Sequence, residues 1–154
     1  MKGMRIRLLL LLLLPLLPAW PAADADSILG VWNSPSDVGA AHIEVYKEGS
    51  KYLGKIVWLE RPVFSEKDPE AGKPKVDRRN PDPKLKTRPV MGLVILNGMQ
   101  YAGGSEWKSG TIYAPDKGKT YKCQARLGPD GVLHLRGYIG FSLFGETRDW
   151  TRVK

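Results

Sequence analysis

The chain has 154 residues, a formal net charge of +8 and a single cysteine, Cys123. One cysteine excludes a scaffold held together by internal disulfides, so the core itself must suffice. The length allows one domain with its own core and leaves no room for a second.

At the N-terminus, Lys2, Arg5 and Arg7 precede an apolar run from Leu8 to Leu17 and a stretch rich in Pro and Ala. This is the order of a secretory signal. A spanning helix needs roughly 20 apolar residues, and this run is shorter and interrupted by Pro15. Ala23 and Ala25 supply the small residues of a peptidase site, so residues 1–25 are expected to be a signal peptide and residues 26–154 the mature domain. No cysteine stands directly after the apolar run to carry a lipid. The expected location is therefore periplasmic or secreted, with no transmembrane anchor. Losing Lys2, Arg5, Arg7 and Asp24 with the leader lowers the formal charge from +8 to +6.

Beyond the leader the apolar period is two. Tyr121, Cys123, Ala125 and Leu127 alternate with Thr120, Lys122, Gln124 and Arg126, and Leu133, Leu135, Gly137 and Ile139 alternate with polar partners. Each run reads as a half-buried strand. Similar runs are expected at Ile28 to Asn33, His42 to Lys47, Tyr52 to Leu59, Val90 to Leu96, Thr111 to Tyr113 and Thr147 to Val153, about eight strands in all. Turn residues separate them: Glu48-Gly49-Ser50, Asn97-Gly98, Pro115 to Gly118 and Gly128 to Gly131. Such short connections join antiparallel neighbours. The fold expected is all-β, a small antiparallel up-and-down barrel whose closure removes exposed edges, with a two-sheet sandwich as the alternative. Trp58, Trp107 and Trp150 are assigned to the core, and Cys123 is expected to be a buried small hydrophobe.

One connection is long, Arg61 to Thr87, and connections of that length are usually functional or disordered. From Lys73 to Arg88 it holds seven basic residues (Lys73, Lys75, Arg78, Arg79, Lys84, Lys86 and Arg88) against Asp77 and Asp82, a local charge of +5. A basic cluster attracts anions. In an exported protein nucleic acid is not the expected anion, and an anionic lipid or small amphiphile is.

Several segments together carry a family resemblance. They are Gly30-x-Trp32, Gly54 to Trp58, Asp77 to Pro83, Arg88 to Gly92, Gly110 to Tyr113, Gly118 to Tyr121, Arg136 to Gly140 and Trp150-Thr151-Arg152. They resemble the bacterial domain-of-unknown-function 2147 family (DUF2147), small exported proteins, over about residues 29–152. One departure is visible, Tyr113-Ala114-Pro115 where the family reads Tyr-Asp-Pro. The first-strand Gly-x-Trp with a late arginine also resembles the lipocalin pattern. The resemblance implies a lipocalin-like barrel and no established activity.

Gly30, Trp32, Trp150 and Arg152 are assigned to structure: the glycine permits close backbone approach, the indole plugs the barrel, and Arg152 or Arg148 stacks on it. The candidate site is Asp77, Arg78, Arg79, Asn80 and Asp82 together with Arg88. Three readings stay open for it. Asp77, Asn80 and Asp82 cap turns while Arg88 pairs with a carboxylate; or the arginines hold an anionic head group at the barrel mouth; or the oxygens of Asp77, Asn80 and Asp82 hold calcium, at a spacing unlike an EF-hand. No metal and no cofactor is expected. The nucleophile-elbow, zinc-protease and phosphate-loop motifs are absent, and His42 and His134 fall on the polar faces of their strands. Asp82 with Asp116 is the residual case for a carboxylate-dependent hydrolase, and no catalytic residue is assigned. The expected function is binding of a small amphiphilic or anionic ligand, with an envelope interaction module as the alternative. Phe141, Leu143 and Phe144 either line the barrel mouth or, the preferred reading, pack as a barrel lid.

Overall fold

Eight strands run in chain order: β1 (Gly30–Ser34), β2 (Ala41–Glu48), β3 (Lys51–Leu59), β4 (Val94–Gly103), β5 (Glu106–Ala114), β6 (Lys119–Leu127), β7 (Leu133–Tyr138) and β8 (Glu146–Arg152). The computed structural model describes residues 23–153, so most of the expected leader lies outside the described residues. Each strand pairs antiparallel with the next, and β8 returns to β1 through Trp32↔Arg152 and Asn33↔Thr151. That last ladder closes the barrel, satisfies both edges and eliminates the sandwich.

The alternating pattern sets the two faces. On β6, Cys123 and Ala125 are buried while Lys122 and Arg126 are exposed; on β7, Leu133 and Leu135 are buried. Three boundaries differ from expectation. Ile28 belongs to a 3-10 turn, Ala25–Ile28, whose N-terminus is capped by the Asp24 side chain. Val90 to Leu93 remain in the long connection, and β4 begins at Val94. Asn97-Gly98 is not a hairpin turn but lies inside β4. There the steps from Leu96 to Met99 oppose the fewer steps from Gly54 to Tyr52, and Gly98 takes φ +71°. An Asn-Gly pair serves a bulge as readily as a turn, because both need the left-handed conformation.

One end of the barrel is sealed from within the sequence's own start. The Trp32 indole donates to the Ile28 carbonyl at 2.8 Å, and the Arg152 guanidinium lies 4.3 Å from the Trp32 ring while donating to the Leu29 and Ser27 carbonyls at 2.8 and 2.7 Å. A Cβ on Gly30 would come within 2.7 Å of the Arg152 Nη1, and Gly30 holds φ +120°. Tyr52 donates to Asp26, and Trp107 donates to the Ala25 carbonyl, a bond that cleavage after Ala25 would remove. Above this seal Trp32, Trp107, Trp150, Ile43, Leu96, Met99 and Cys123 are all fully buried, so the lumen there is filled by side chains.

The other end carries the connections 35–40, 60–93, 115–118 and 139–145. Two expectations fail there. Trp58 is 42% exposed, because a bulge at His42/Ile43 shifts the register of β3 and sends the indole outward onto the His42 ring, 4.3 Å away. Phe141, Leu143 and Phe144 do not pack as a lid. They are 78–79% exposed, because Arg136 holds the backbone of their loop from below. No helix among the described residues is long and apolar enough to cross a membrane.

Candidate functional site

The long connection, residues 60–93, is a folded excursion rather than a slack loop. Two bridges, Val63↔Pro74 and Val76↔Pro89, pinch it, and hydrogen bonds from Ile56 to Leu93 and from Gly92 to Ile56 stitch its end to β3. Its middle rests on the β5–β6 turn, where a side chain on Gly118 (φ +63°) would collide with the Arg79 carbonyl. The glycine is needed at that contact.

The sequence-predicted residues divide into four groups. Asp77, Asn80 and Arg88 come together. The Asp77 carboxylate, fully buried, accepts from the Tyr113 hydroxyl at 2.6 Å, from Asn80 Nδ2 at 2.7 Å and from Arg88 Nε at 2.9 Å, with Arg88 Nη2 also at 2.9 Å. Its own backbone N–H donates to Arg88, and that of Asn80 to Asp77. A buried charge is tolerable only when paired and fully bonded, and this one is. Burial and the adjacent carboxylate push the Tyr113 hydroxyl up to about 12, so it stays a donor.

Arg78 is drawn elsewhere. It lies 4.1 Å over the Phe64 ring and forks onto Asp68 at 2.9 and 2.5 Å. That guanidinium, with the Glu70 backbone N–H, holds the Asp68 carboxyl down to about 2. Asp82 caps the 3-10 turn Pro83–Leu85 by accepting from the Lys84 N–H. Arg79 is exposed and makes no side-chain hydrogen bond or ion pair among the described residues.

The three oxygen donors of the calcium reading are each committed to an N–H or O–H: Asp77 to Arg88, Asn80 and Tyr113, Asn80 Oδ1 to the Asp82 N–H at 2.9 Å, and Asp82 to Lys84. No group of three His, Cys, Asp or Glu among the described residues is placed to hold a metal ion. His42 lies against Trp58, and His134 bonds to Asp149 at 2.6 Å. Burial pushes the Cys123 thiol up to about 12.

Beside the Asp77 cluster is a depression of about 250 Å³ lined by Asn80, Pro81, Arg88, Val94, Ile95, Asn97, Thr111, Tyr113 and Thr120. It lies on the outer wall. Asn97 pairs with Thr111 and Tyr113 with Thr120, on the face opposite the inward Leu96, Ile112 and Tyr121. Its lining holds one cation and no carboxylate. Arg88 Nη1 and the side chains of Asn97, Thr111 and Thr120 make no hydrogen bond among the described residues, whereas Pro81, Val94 and Ile95 are apolar. Sequence reasoning missed Asn97, Thr111, Tyr113 and Thr120. The signal was present, since strand alternation assigns all but Asn97 to an outward face. A second depression, about 600 Å³ and wide open, lies between Pro35 to Asp37 and Thr147 to Asp149. Its charges are mixed.

The profile of DUF2147, described as an uncharacterized protein conserved in bacteria, matches residues 30–152. Among solved structures, protein HP1028 from the human pathogen Helicobacter pylori, described as belonging to the lipocalin family, superposes with a TM-score of 0.69 at 24% identity, over 82% of this chain and 83% of that one. At that identity the likeness is one of fold. The curated proteins give no match.

Proposed function

The chain belongs to the DUF2147 family, and from that premise we propose that it is an exported binding protein that captures a small anionic amphiphile on the outer wall of its barrel. The observation that carries this reading is the depression beside Arg88, where unpaired donors and one guanidinium face a short apolar wall and no carboxylate intervenes. An anionic head would take Arg88 Nη1, Thr111, Thr120 and Asn97. A short tail would lie on Pro81, Val94 and Ile95. The Asp77 cluster beneath locks the Arg88 and Tyr113 side chains before any ligand arrives, which lowers the ordering cost of binding.

The filled lumen argues against a ligand swallowed whole, since Trp32, Trp107 and Trp150 occupy the space a tail would need. Capture on the outer wall avoids that conflict. The test is an amide-resolved NMR titration with hexyl phosphate, hexanoate and neutral hexanol. Hexyl phosphate and hexanoate should shift the amides of Asn80, Asn97, Thr111 and Thr120, more weakly as salt is raised. The double variant Asn97→Ala, Thr120→Val leaves the Asp77 cluster intact and should bind about tenfold more weakly, two lost hydrogen bonds at about 1 kcal/mol each with partial compensation. Equal shifts with hexanol, or none at these four residues, would refute the site.

A further inference from the structure

The most anomalous surface of the molecule lies outside that depression. Between β7 and β8 the chain runs Ile139-Gly140-Phe141-Ser142-Leu143-Phe144-Gly145, and its four large apolar side chains are exposed at 68%, 78%, 79% and 78%. Single exposed apolar residues need no explanation, but a contiguous group marks a contact with another phase or molecule. We propose that this tip inserts into the surface of an anionic lipid bilayer and seats that end of the barrel, the one carrying the long connection, against it.

The tip is preformed. Its centre is a 3-10 turn, Ser142–Phe144. Arg136 reaches up from β7 and donates to the Ser142 carbonyl at 2.6 Å, to the Leu143 carbonyl at 3.0 Å and to the Thr147 hydroxyl at 2.9 Å. The Phe144 and Gly145 N–H groups bond back to Phe141 and Ser142. The three carbonyls at the crest are thus satisfied internally. Bonded carbonyls lower the cost of leaving water, while the Ser142 and Leu143 N–H groups, which bond nothing among the described residues, hold the crest at the headgroup boundary rather than in the hydrocarbon. Gly145 makes this fold of the loop feasible, because a Cβ there would sit 2.6 Å from the Gly137 carbonyl.

Charge selects the occupant. Strand directions put the ends of the β3–β4 connection and the β5–β6 turn at the same end of the barrel as the tip. Arg79, Lys84, Lys86, Lys117 and Lys119 are exposed there without an ion pair among the described residues, and with the exposed Asp37, Glu66, Asp82 and Asp116 counted, connections 35–40, 60–93 and 115–118 with Lys119 hold 11 basic against 8 acidic residues, a net charge of +3. Basic side chains beside an inserting apolar group are what an anionic leaflet attracts. A second copy of the chain would bring the same cations together and be repelled. One short loop also offers far less than the roughly 800 Å² per partner of a standard protein interface. The inference does not depend on the depression near Arg88.

The test uses protein isolated as the cell produces it, with its N-terminus sequenced so that a retained leader is not mistaken for the tip. Sedimentation with vesicles of phosphatidylcholine alone, and of phosphatidylcholine mixed with phosphatidylglycerol, is compared for three proteins. The parent should sediment with the mixed vesicles and lose most of that binding at high salt. The variant Phe141→Ser, Leu143→Ser, Phe144→Ser removes only exposed side chains and should lose about tenfold or more in partitioning with an unchanged melt. The variant Lys84→Glu, Lys86→Glu should bind the mixed vesicles several-fold less and keep its tip. Equal sedimentation of the parent and the serine variant, or no sedimentation of the parent, overturns the proposal. Equal binding to both vesicle types overturns its electrostatic half. A parent dimer that the serine variant dissolves would reassign the tip to a contact between copies. Loss of hexyl phosphate binding without loss of vesicle binding would touch only the depression.

Discussion

Replacing Asp77 tests whether one buried carboxylate holds the long connection to the barrel wall. Asp77→Asn keeps the volume but removes the charge, and it turns one acceptor oxygen into a donor facing Asn80, Arg88 and Tyr113. Arg88 then loses its only ion-pair partner among the described residues, at a side chain 35% exposed. Breaking one half of a buried pair costs about 3 to 5 kcal/mol. Partial exposure of Arg88 puts the expectation at the low end, about 3 kcal/mol, a large share of the 5 to 15 kcal/mol typical of a domain. Because Asp77 lies in an excursion between β3 and β4, two readouts are needed. If the connection folds with the barrel, the denaturant midpoint falls by the full amount. If it opens alone, the midpoint moves less and amide exchange at Asp77, Asn80 and Val90 accelerates instead. Asp77→Leu with Arg88→Met removes both charges and should recover part of the loss in either readout, but not all of it, because the Tyr113 hydroxyl and Asn80 Nδ2 lose their acceptor. A single variant that leaves both midpoint and exchange unchanged would refute the account of Asp77 as the anchor.

Four further outcomes are expected. Trp32→Ala should lower stability by about 3 to 5 kcal/mol in denaturant titration, since the indole is fully buried and carries both the Ile28 bond and the Arg152 stack. Tyr113 titrates up to about 12 against an ordinary 10.0, so its contribution is complete below pH 10 and is lost as pH rises toward 12; the gap in denaturant midpoint between the parent and Tyr113→Phe should shrink over that window. Cys123, buried and with its thiol pushed up to about 12, should react with a disulfide reagent only as fast as the protein unfolds. If the leader is cleaved as its sequence predicts, intact-mass measurement on protein isolated from the cells that make it should place its first residue at Asp26, and a mass retaining Met1 would contradict that.

The barrel was legible because period-two alternation is a backbone property. Once Cys123, Ala125, Leu133 and Leu135 share a side, the inward face of β6 and β7 follows. What alternation cannot report is where it slips. Asn97-Gly98 reads as a turn because the same left-handed residue serves turn and bulge, and only pairing with β3 shows which. Trp58 was misassigned for the same reason, one bulge earlier. The Asp77 segment was legible as a cluster of chemistry but not as a geometry. Arg78 and Arg88 are alike in sequence, yet Asp68 is within reach of the first and Asp77 of the second. The partner that makes the buried carboxylate tolerable, Tyr113, lies 36 positions away. Such contacts depend on how the connection drapes over the wall, which no local pattern encodes.

The two ends of the barrel divide its work. At the sealed end nearly every polar bond closes on the protein itself: Arg152 on Leu29 and Ser27, Trp32 on Ile28, Tyr52 on Asp26. A glycine at Gly30 and a buried indole are spent there on stability. At the open end the same kinds of residue are used differently. Arg136 satisfies carbonyls so that Phe141, Leu143 and Phe144 can stay exposed, and Asp77 fixes Arg88 beside a depression whose remaining donors are unpaired. A protein that needed only to be stable would bury the apolar tip and pair the donors, since both exposures forgo free energy. That the loss falls on one end, the end that also carries unpaired cations, is the physical reason for seeking a ligand and a lipid surface there rather than in the filled lumen.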